Sequence, residues 1–358
     1  MTMTEIANLF ALPTPVLSAE PYGCGHINDT YCVQGTDRRY ILQRVNHNVF
    51  KDVPALMDNM FRVTSFVKEQ VIARGGDPDR ECLQLIPTKD GAPYLLLDGN
   101  FYRMFVFVER TVSLQTVENP THFYYSALAF GRFQKLLADF PAETLHEVIA
   151  RFHDTANRYR LFEEALAADA LGRAAEVQDE IAFVRARKAD TEKLVTLLAE
   201  GKLPLRVTHN DTKLNNVLLD DVTGEPMAVI DLDTVMPGLS LYDFGDSIRS
   251  GSNHAEEDDA DLSKVYCDLE LFEQFVKGFL EACGESLTDL EKDLLPYGAY
   301  MMTLECGIRF LTDYLSGDTY FRIHYPDQNL RRCRTQLKLA ADIQSKFDEM
   351  AAIVNRYR

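Results

Sequence analysis

The stretch Thr208-His-Asn-Asp-Thr-Lys-Leu-Asn-Asn216, with Ile230-Asp-Leu-Asp233 after it, gathers residue types that can move a phosphoryl group. Histidine, one residue, aspartate, four residues and asparagine is the spacing of a phosphoryl-transfer loop. Asp211 offers a carboxylate that can orient an attacking hydroxyl and take its proton. Asn216 offers an amide oxygen, and Asp231 a second hard oxygen, of the kind magnesium prefers. Lys213 is placed to touch the transferring phosphate. Apolar runs at 217–219 and 228–230, flanking Thr223-Gly224, predict two short strands that hold the loop between them. His209 reads as a buttress of this loop. Asp233 has two readings, a second metal contact or a helper that bonds nearby backbone.

The elements that must position these residues divide the chain. Up to about residue 110, β-like runs alternate with turn signals: a glycine-rich turn at 22–25, then strands at 30–33, 39–45, 82–86, 93–97 and 101–109. Asp98-Gly99 is a two-residue hairpin signal, and apolar spacing over 51–73 predicts an amphipathic helix. The richest apolar run, 101–108, is interrupted by Arg103. From about 119 the spacing is helical, at 123–140, 158–170, 174–200, 269–282, 290–314 and 330–356, broken only by 206–233. The fold class is therefore α+β. The acidic run 255–261 reads as a solvated loop or helix start.

Composition narrows the function. Over 358 residues, 37 Lys and Arg oppose 55 Asp and Glu, a net charge of −18, which argues against nucleic-acid or anionic-membrane binding. No apolar run is long enough to span a membrane, and no signal peptide is seen at the N-terminus. Seven cysteines, an odd number without a C-x-x-C pair, read as reduced thiols in a cytoplasm.

These motifs, with Tyr242-Asp-Phe-Gly-Asp246 after them, resemble the aminoglycoside phosphotransferase and choline kinase group of small-molecule kinases, and within it most of all the bacterial N-acetylhexosamine 1-kinases. The resemblance implies a protein-kinase-like fold of two lobes. Residues 1–110 would form an ATP-binding lobe of antiparallel strands, and 111–358 a mainly helical catalytic and substrate lobe. It implies transfer of phosphate from ATP, with Mg²⁺, to the anomeric hydroxyl of an N-acetylhexosamine, by a monomer or weak homo-oligomer. Asp243-Phe244-Gly245 spells the metal-binding triplet of protein kinases. Asp231, however, directly ends the strand returning from the loop, so Asp231 is expected to hold the metal and Asp243 to brace the loop backbone.

For ATP, Gly23-x-Gly25 is an ordinary turn or one that folds over phosphates with its amides, and Asn28 stands where a third glycine would be. The lysine expected in the third strand is missing; Gln43 or Arg44 takes its place. Backbone from Val106 through Val108 to Glu109 is the expected adenine hinge. For the acceptor, the 300–314 helix carries Glu305, Arg309 and Asp313 at i,i+4 steps. They form either a surface ion-pair ladder or a stripe facing a pocket. The resemblance implies that Arg309, Tyr320 and His26 contact the sugar, together with Asp211 and Asp231. An amino alcohol, homoserine or an aminoglycoside is the alternative acceptor. A non-catalytic pseudokinase is disfavoured by the intact Asp211, Asn216 and Asp231.

Overall fold

Six strands near the N-terminus pair into one antiparallel sheet: β1 (Val16–Pro21), β2 (Asp29–Gly35), β3 (Arg39–Val45), β4 (Leu85–Ile86), β5 (Leu95–Leu97) and β6 (Asn100–Val106). The order is β1-β2-β3-β6-β4, with β5 also on β6, in a computed structural model that describes residues 1–23 and 27–358. Alternation along β3 and β6 sends Tyr40, Leu42, Tyr102 and Met104 into one core, with Ile6 and Ala7 of the N-terminal Met3–Ala7 helix and Phe10 beyond it. The opposite face of the same strands carries Gln43 and Arg103. The Val53–Ala73 helix meets that face, with Met60 sulfur 3.6 Å from the Arg103 guanidinium.

The described chain divides into two compact units that are discontinuous in sequence. The first comprises residues 1–114, 136–150 and 215–237; the second comprises 115–135, 151–214 and 238–358. The first crossing, after Leu114, lies close to the lobe boundary anticipated at 110. The hairpin of Val217–Asp220 and Pro226–Val229 joins the first unit because Thr111–Val112 adds a third strand to it. Arg80 also pairs with Asp220 at 2.7 Å.

The second unit is built around the Leu295–Leu315 helix, which is buried almost all round. It packs against the helices Thr155–Ala168, Ser240–Gly251 and Gln328–Ser345. The crossing with Ser240–Gly251 is so close that a Cβ at Gly245 would lie 2.3 Å from the Gly298 carbonyl oxygen. Among the described residues, no helix is long and apolar enough to cross a membrane, and the cysteines other than Cys24 are free thiols.

Several elements differ from the sequence reading. The sequence reading gave no bounds for β1, and the strand expected at 82–86 shortens to β4 at 85–86, with a helical turn, Pro78–Glu81, before it. The single helices expected at 174–200, 290–314 and 330–356 are each broken in two. The middle break has a clear cause. Pro296 lacks an N–H and is tolerated only in a first turn, so the helix restarts at Leu295. The acidic run is not simply solvated. Glu257 pairs with Arg249 and Arg332, and Asp258 accepts from Tyr325 and Gln328.

The strand Arg206–Thr208, which leads into the loop, is anchored by a buried ion pair. Arg206 donates to Glu291 at 2.6 and 2.8 Å, and Ser240 and Thr288 complete the carboxylate's partners. Burial pushes the Glu291 carboxyl up, but the Arg206 guanidinium and the two other donors outweigh it and hold the group below its usual value. A depressed carboxyl stabilises the fold above its unfolded value of about 4.3 and loses that contribution as pH falls through the folded value. Glu291→Ala leaves a part-buried guanidinium with only the Ser286 carbonyl and is expected to cost about 1–3 kcal/mol. Chemical denaturation at pH 7 checks the size, and the wild-type–variant gap should shrink on acidification below about pH 4.

Candidate active site

Residues 209–213 follow the Arg206–Thr208 strand without a helix or sheet to absorb their amides. The Ser240–Gly251 helix supplies the missing acceptors. Both oxygens of Asp243 are engaged: one accepts from the His209 N–H at 2.9 Å and from Gln134 at 2.6 Å, the other from the Asn210 N–H at 2.8 Å. Asn210 sits at φ +64°, the left-handed region that asparagine tolerates better than most residues. Burial pushes the Asp243 carboxyl up, against the opposing pull of His209, the two loop amides and Gln134. One turn on, Asp246 accepts the Thr212 N–H at 3.1 Å and pairs with Arg249 at 2.8 Å. Thr212 returns a bond to the Asp243 carbonyl, and Ser247 donates to the Thr212 carbonyl. His209 is fully buried, its ring edge-on to Phe130 and Phe133. It braces the loop.

Asp211, half-buried on this loop, pairs with Lys213 at 2.8 Å. Burial lowers the Lys213 ammonium, but Asp211 and Asp246 together raise it above its usual value, so it stays charged across the neutral range.

In the first unit, Asn216 ends the turn Leu214–Asn216 and is buried, its carbonyl taking the Ile230 N–H at 2.9 Å. Asp231 is exposed at φ +60° and opens the turn Leu232–Thr234. Asp233 is buried, one oxygen on Arg103 and the other accepting from Asn28 at 2.6 Å. Its partners here are side chains, not the backbone of the helper reading. Gln43 accepts from Arg103 at 2.9 and 2.8 Å, whereas Arg44 is at the surface on Asp29. Gly23 is at φ +79°; Gly25 and His26 lie outside the described residues. Val106 and Val108 are buried, and the Val106 and Phe107 N–H groups already donate to Gln84 and Arg39.

The acceptor stripe in the second unit is no surface ladder. Glu305 is 1% exposed and bonds His153 at 2.9 Å. Asp313 accepts the amides of Thr319, Tyr320 and Phe321 and so fixes the following loop. Arg309 bonds neither carboxylate. Its guanidinium lies 5.3 Å from the Phe152 and Phe321 ring centroids and 5.9 Å from that of Tyr320, which is 66% exposed. Arg158 approaches the same group. It donates to the Phe152 carbonyl, and burial, with Arg309 nearby, lowers it against the pull of Glu305.

The sequence pattern of the phosphotransferase enzyme family, APH, matches residues 18–276. The chain belongs to that family. Solved structures agree in fold. The microcompartment-associated aminopropanol kinase matches at 16% identity and TM-score 0.63, over 98% of each chain. An aminoglycoside phosphotransferase from Alicyclobacillus acidocaldarius matches at 15% and 0.63, over 98% of this chain and 95% of that one. A choline/ethanolamine kinase family protein from Mesorhizobium loti matches at 16% and 0.53, over 99% and 100%. The architecture, an antiparallel sheet followed by a helical part, is the protein-kinase-like fold of this family.

The family match ends before Glu305, Arg309 and Tyr320, so these residues stand on geometry alone. Sequence reasoning gave Arg103, Arg158 and His153 no role. Arg103 left a signal, a charge inside an apolar strand run; the other two left none.

Asp243→Ala strands three donors, each costing about 1–3 kcal/mol, so a large fall in Tm is expected. Asp231→Asn keeps a residue that tolerates φ +60° and should melt within about 1 kcal/mol of wild type. Calorimetry of both variants checks the contrast.

Proposed function

We propose that the chain is an ATP- and magnesium-dependent kinase that phosphorylates the anomeric hydroxyl of an N-acetylhexosamine, N-acetylglucosamine or N-acetylgalactosamine, giving the sugar 1-phosphate and ADP. The observation that carries the reading is Asp211 on a loop held from below by Asp243 and Asp246, with Lys213 beside it, in a member of a phosphotransferase family.

In this reading Asp211 orients the anomeric hydroxyl and takes its proton as the oxygen attacks the γ-phosphorus. The bond from that phosphorus to the ADP oxygen breaks, and ADP leaves. Lys213 lies against the transferring group. Asn216 and Asp231 present an amide and a carboxylate oxygen, a donor set that suits magnesium. Magnesium, when bound there, neutralises phosphate charge. Residues 1–110 form the ATP-binding lobe and 111–358 the catalytic and acceptor lobe. Gly23, Gly25, Asn28 and Gln43 approach the nucleotide phosphates, and Val106 to Val108 approach adenine. Arg44 is the alternative to Gln43 there; its guanidinium is on Asp29 at the surface, while the Gln43 amide is on Arg103 and Thr30. His26, Arg309 and Tyr320 hold the sugar.

The surroundings of Arg309 support a sugar acceptor. A cationic amine calls for carboxylates or an aromatic cage; here the rings of Phe152, Tyr320 and Phe321 already face the Arg309 guanidinium, and a second guanidinium, Arg158, lies in the same neighbourhood. An uncharged sugar bearing hydroxyls and an acetamide carbonyl suits them. Homoserine, which carries a carboxylate, is the second reading on the same observation.

A coupled ADP-release screen over N-acetylhexosamines, homoserine, amino alcohols and aminoglycosides tests the proposal; turnover confined to the last two classes would overturn it. Asp211→Asn should lower kcat by about 10²–10⁴-fold while calorimetry shows ATP still bound. Arg309→Ala should raise the KM for N-acetylglucosamine by the equivalent of about 2–3 kcal/mol, with little change in the KM for ATP.

A further inference from the structure

The nucleotide half of the first unit contains a charge that the sequence reading left without a role. β3 lacks its expected lysine and has Gln43. Directly opposite Gln43 on β6 stands Arg103. Arg103 is 1% exposed, the largest of the fully buried side chains. Two of its nitrogens donate to the Gln43 carbonyl oxygen at 2.9 and 2.8 Å, and the third bonds Asp233. Gln43 in turn donates to Thr30 at 3.0 Å.

Asp233 is the hub of this network. Its second oxygen takes the Asn28 amide, and Asn28 takes the Asn46 N–H at 3.0 Å. Asp233 therefore links β6, Asn28 just before β2, and the Leu232–Thr234 turn that Asp231 opens. That turn is held further by Asn59, which donates to the Val235 carbonyl at 3.0 Å. Asp231 is a non-glycine residue at φ +60°, a conformation that persists only where its surroundings over-determine it. Buried ion pairs add little stability over apolar packing of the same shape. An arginine–aspartate pair on the helix-covered face of a small sheet is thus better explained by the geometry it fixes.

We infer that Arg103 and Asp233 form a positioning pair that sets magnesium-nucleotide affinity, the buried guanidinium serving in place of the absent β3 lysine. It acts through its neighbours: it orients Asp231 through the Leu232–Thr234 turn, and holds Asn28 just before β2. The inference rests on the kinase reading above.

The test measures Mg-ATP binding by titration calorimetry in the full chain, alongside steady-state kinetics. Arg103→Met and Asp233→Asn should weaken Mg-ATP binding and raise the magnesium needed for half-maximal turnover, each by about 10–100-fold, as loss of a partner behind a metal ligand does. The KM for the acceptor should stay within about twofold. Arg103→Lys, which keeps the charge but not the three-way fork, should recover part of the loss. Asn28→Ala removes one Asp233 partner without stranding a charge; it keeps the test open where the other variants fail to fold, and should show a smaller loss in the same direction. Folded variants that bind Mg-ATP like wild type and differ only in Tm would overturn the inference and leave the kinase reading intact. A wild-type chain that binds no nucleotide would overturn both.

Discussion

The second unit depends on one constraint: the amides of residues 209–212 are buried in a segment that has no secondary structure to receive them. Each unmet donor would cost about 1–3 kcal/mol. Asp243 and Asp246, one turn apart on the Ser240–Gly251 helix, accept the amides of His209, Asn210 and Thr212, the Asp211 amide going to the His209 ring, and so fix the backbone from which Asp211 projects. A charged acceptor is the stronger choice, but it must itself be buried. The unit meets that cost with Gln134 for Asp243 and Arg249 for Asp246. Arg249 reaches on to Glu257, which ties the acidic loop to the same network.

The helix that carries these acceptors has to lie close to the Leu295–Leu315 helix, and glycine at 245 and 298 permits it. The long helix therefore serves two ends. Its apolar faces fill the core, and its polar stripe holds Glu305 against His153, leaves Arg309 among aromatic rings, and uses Asp313 to shape the loop bearing Tyr320. A surface ladder would have paired the three charges with one another. Burial separates them and gives each a different partner.

The first unit solves the same problem with opposite charge. There the buried group is a cation, Arg103, and the acceptors come to it from β3 and from the turn beyond Asp231. Both units thus fix their polar side chains through buried, fully bonded charges, which favour one arrangement over its alternatives. The hairpin 215–237 belongs with the sheet, so the sequence neighbours Lys213 and Asn216 are anchored in different packing environments.

The spacing of His209, Asp211, Lys213, Asn216 and Asp231 was legible because the loop is local: its residue types and their intervals are the chemistry. Apolar periodicity placed β3, β6 and the helices Val53–Ala73, Pro120–Leu136, Thr155–Ala168 and Leu269–Cys283 to within a few residues, since burial on one face repeats along the chain. What sequence could not show lies in partners far apart along it. Arg103 meets Asp233 across 130 residues, and Gln134 meets Asp243 across 109. No local pattern records such pairings, because they arise when separate elements are packed and a buried charge must find its counter-charge. For the same reason Gln43 and Arg44 were equal in sequence and unequal in the fold: adjacent residues on a strand face opposite sides, so one joins the buried network and the other meets solvent.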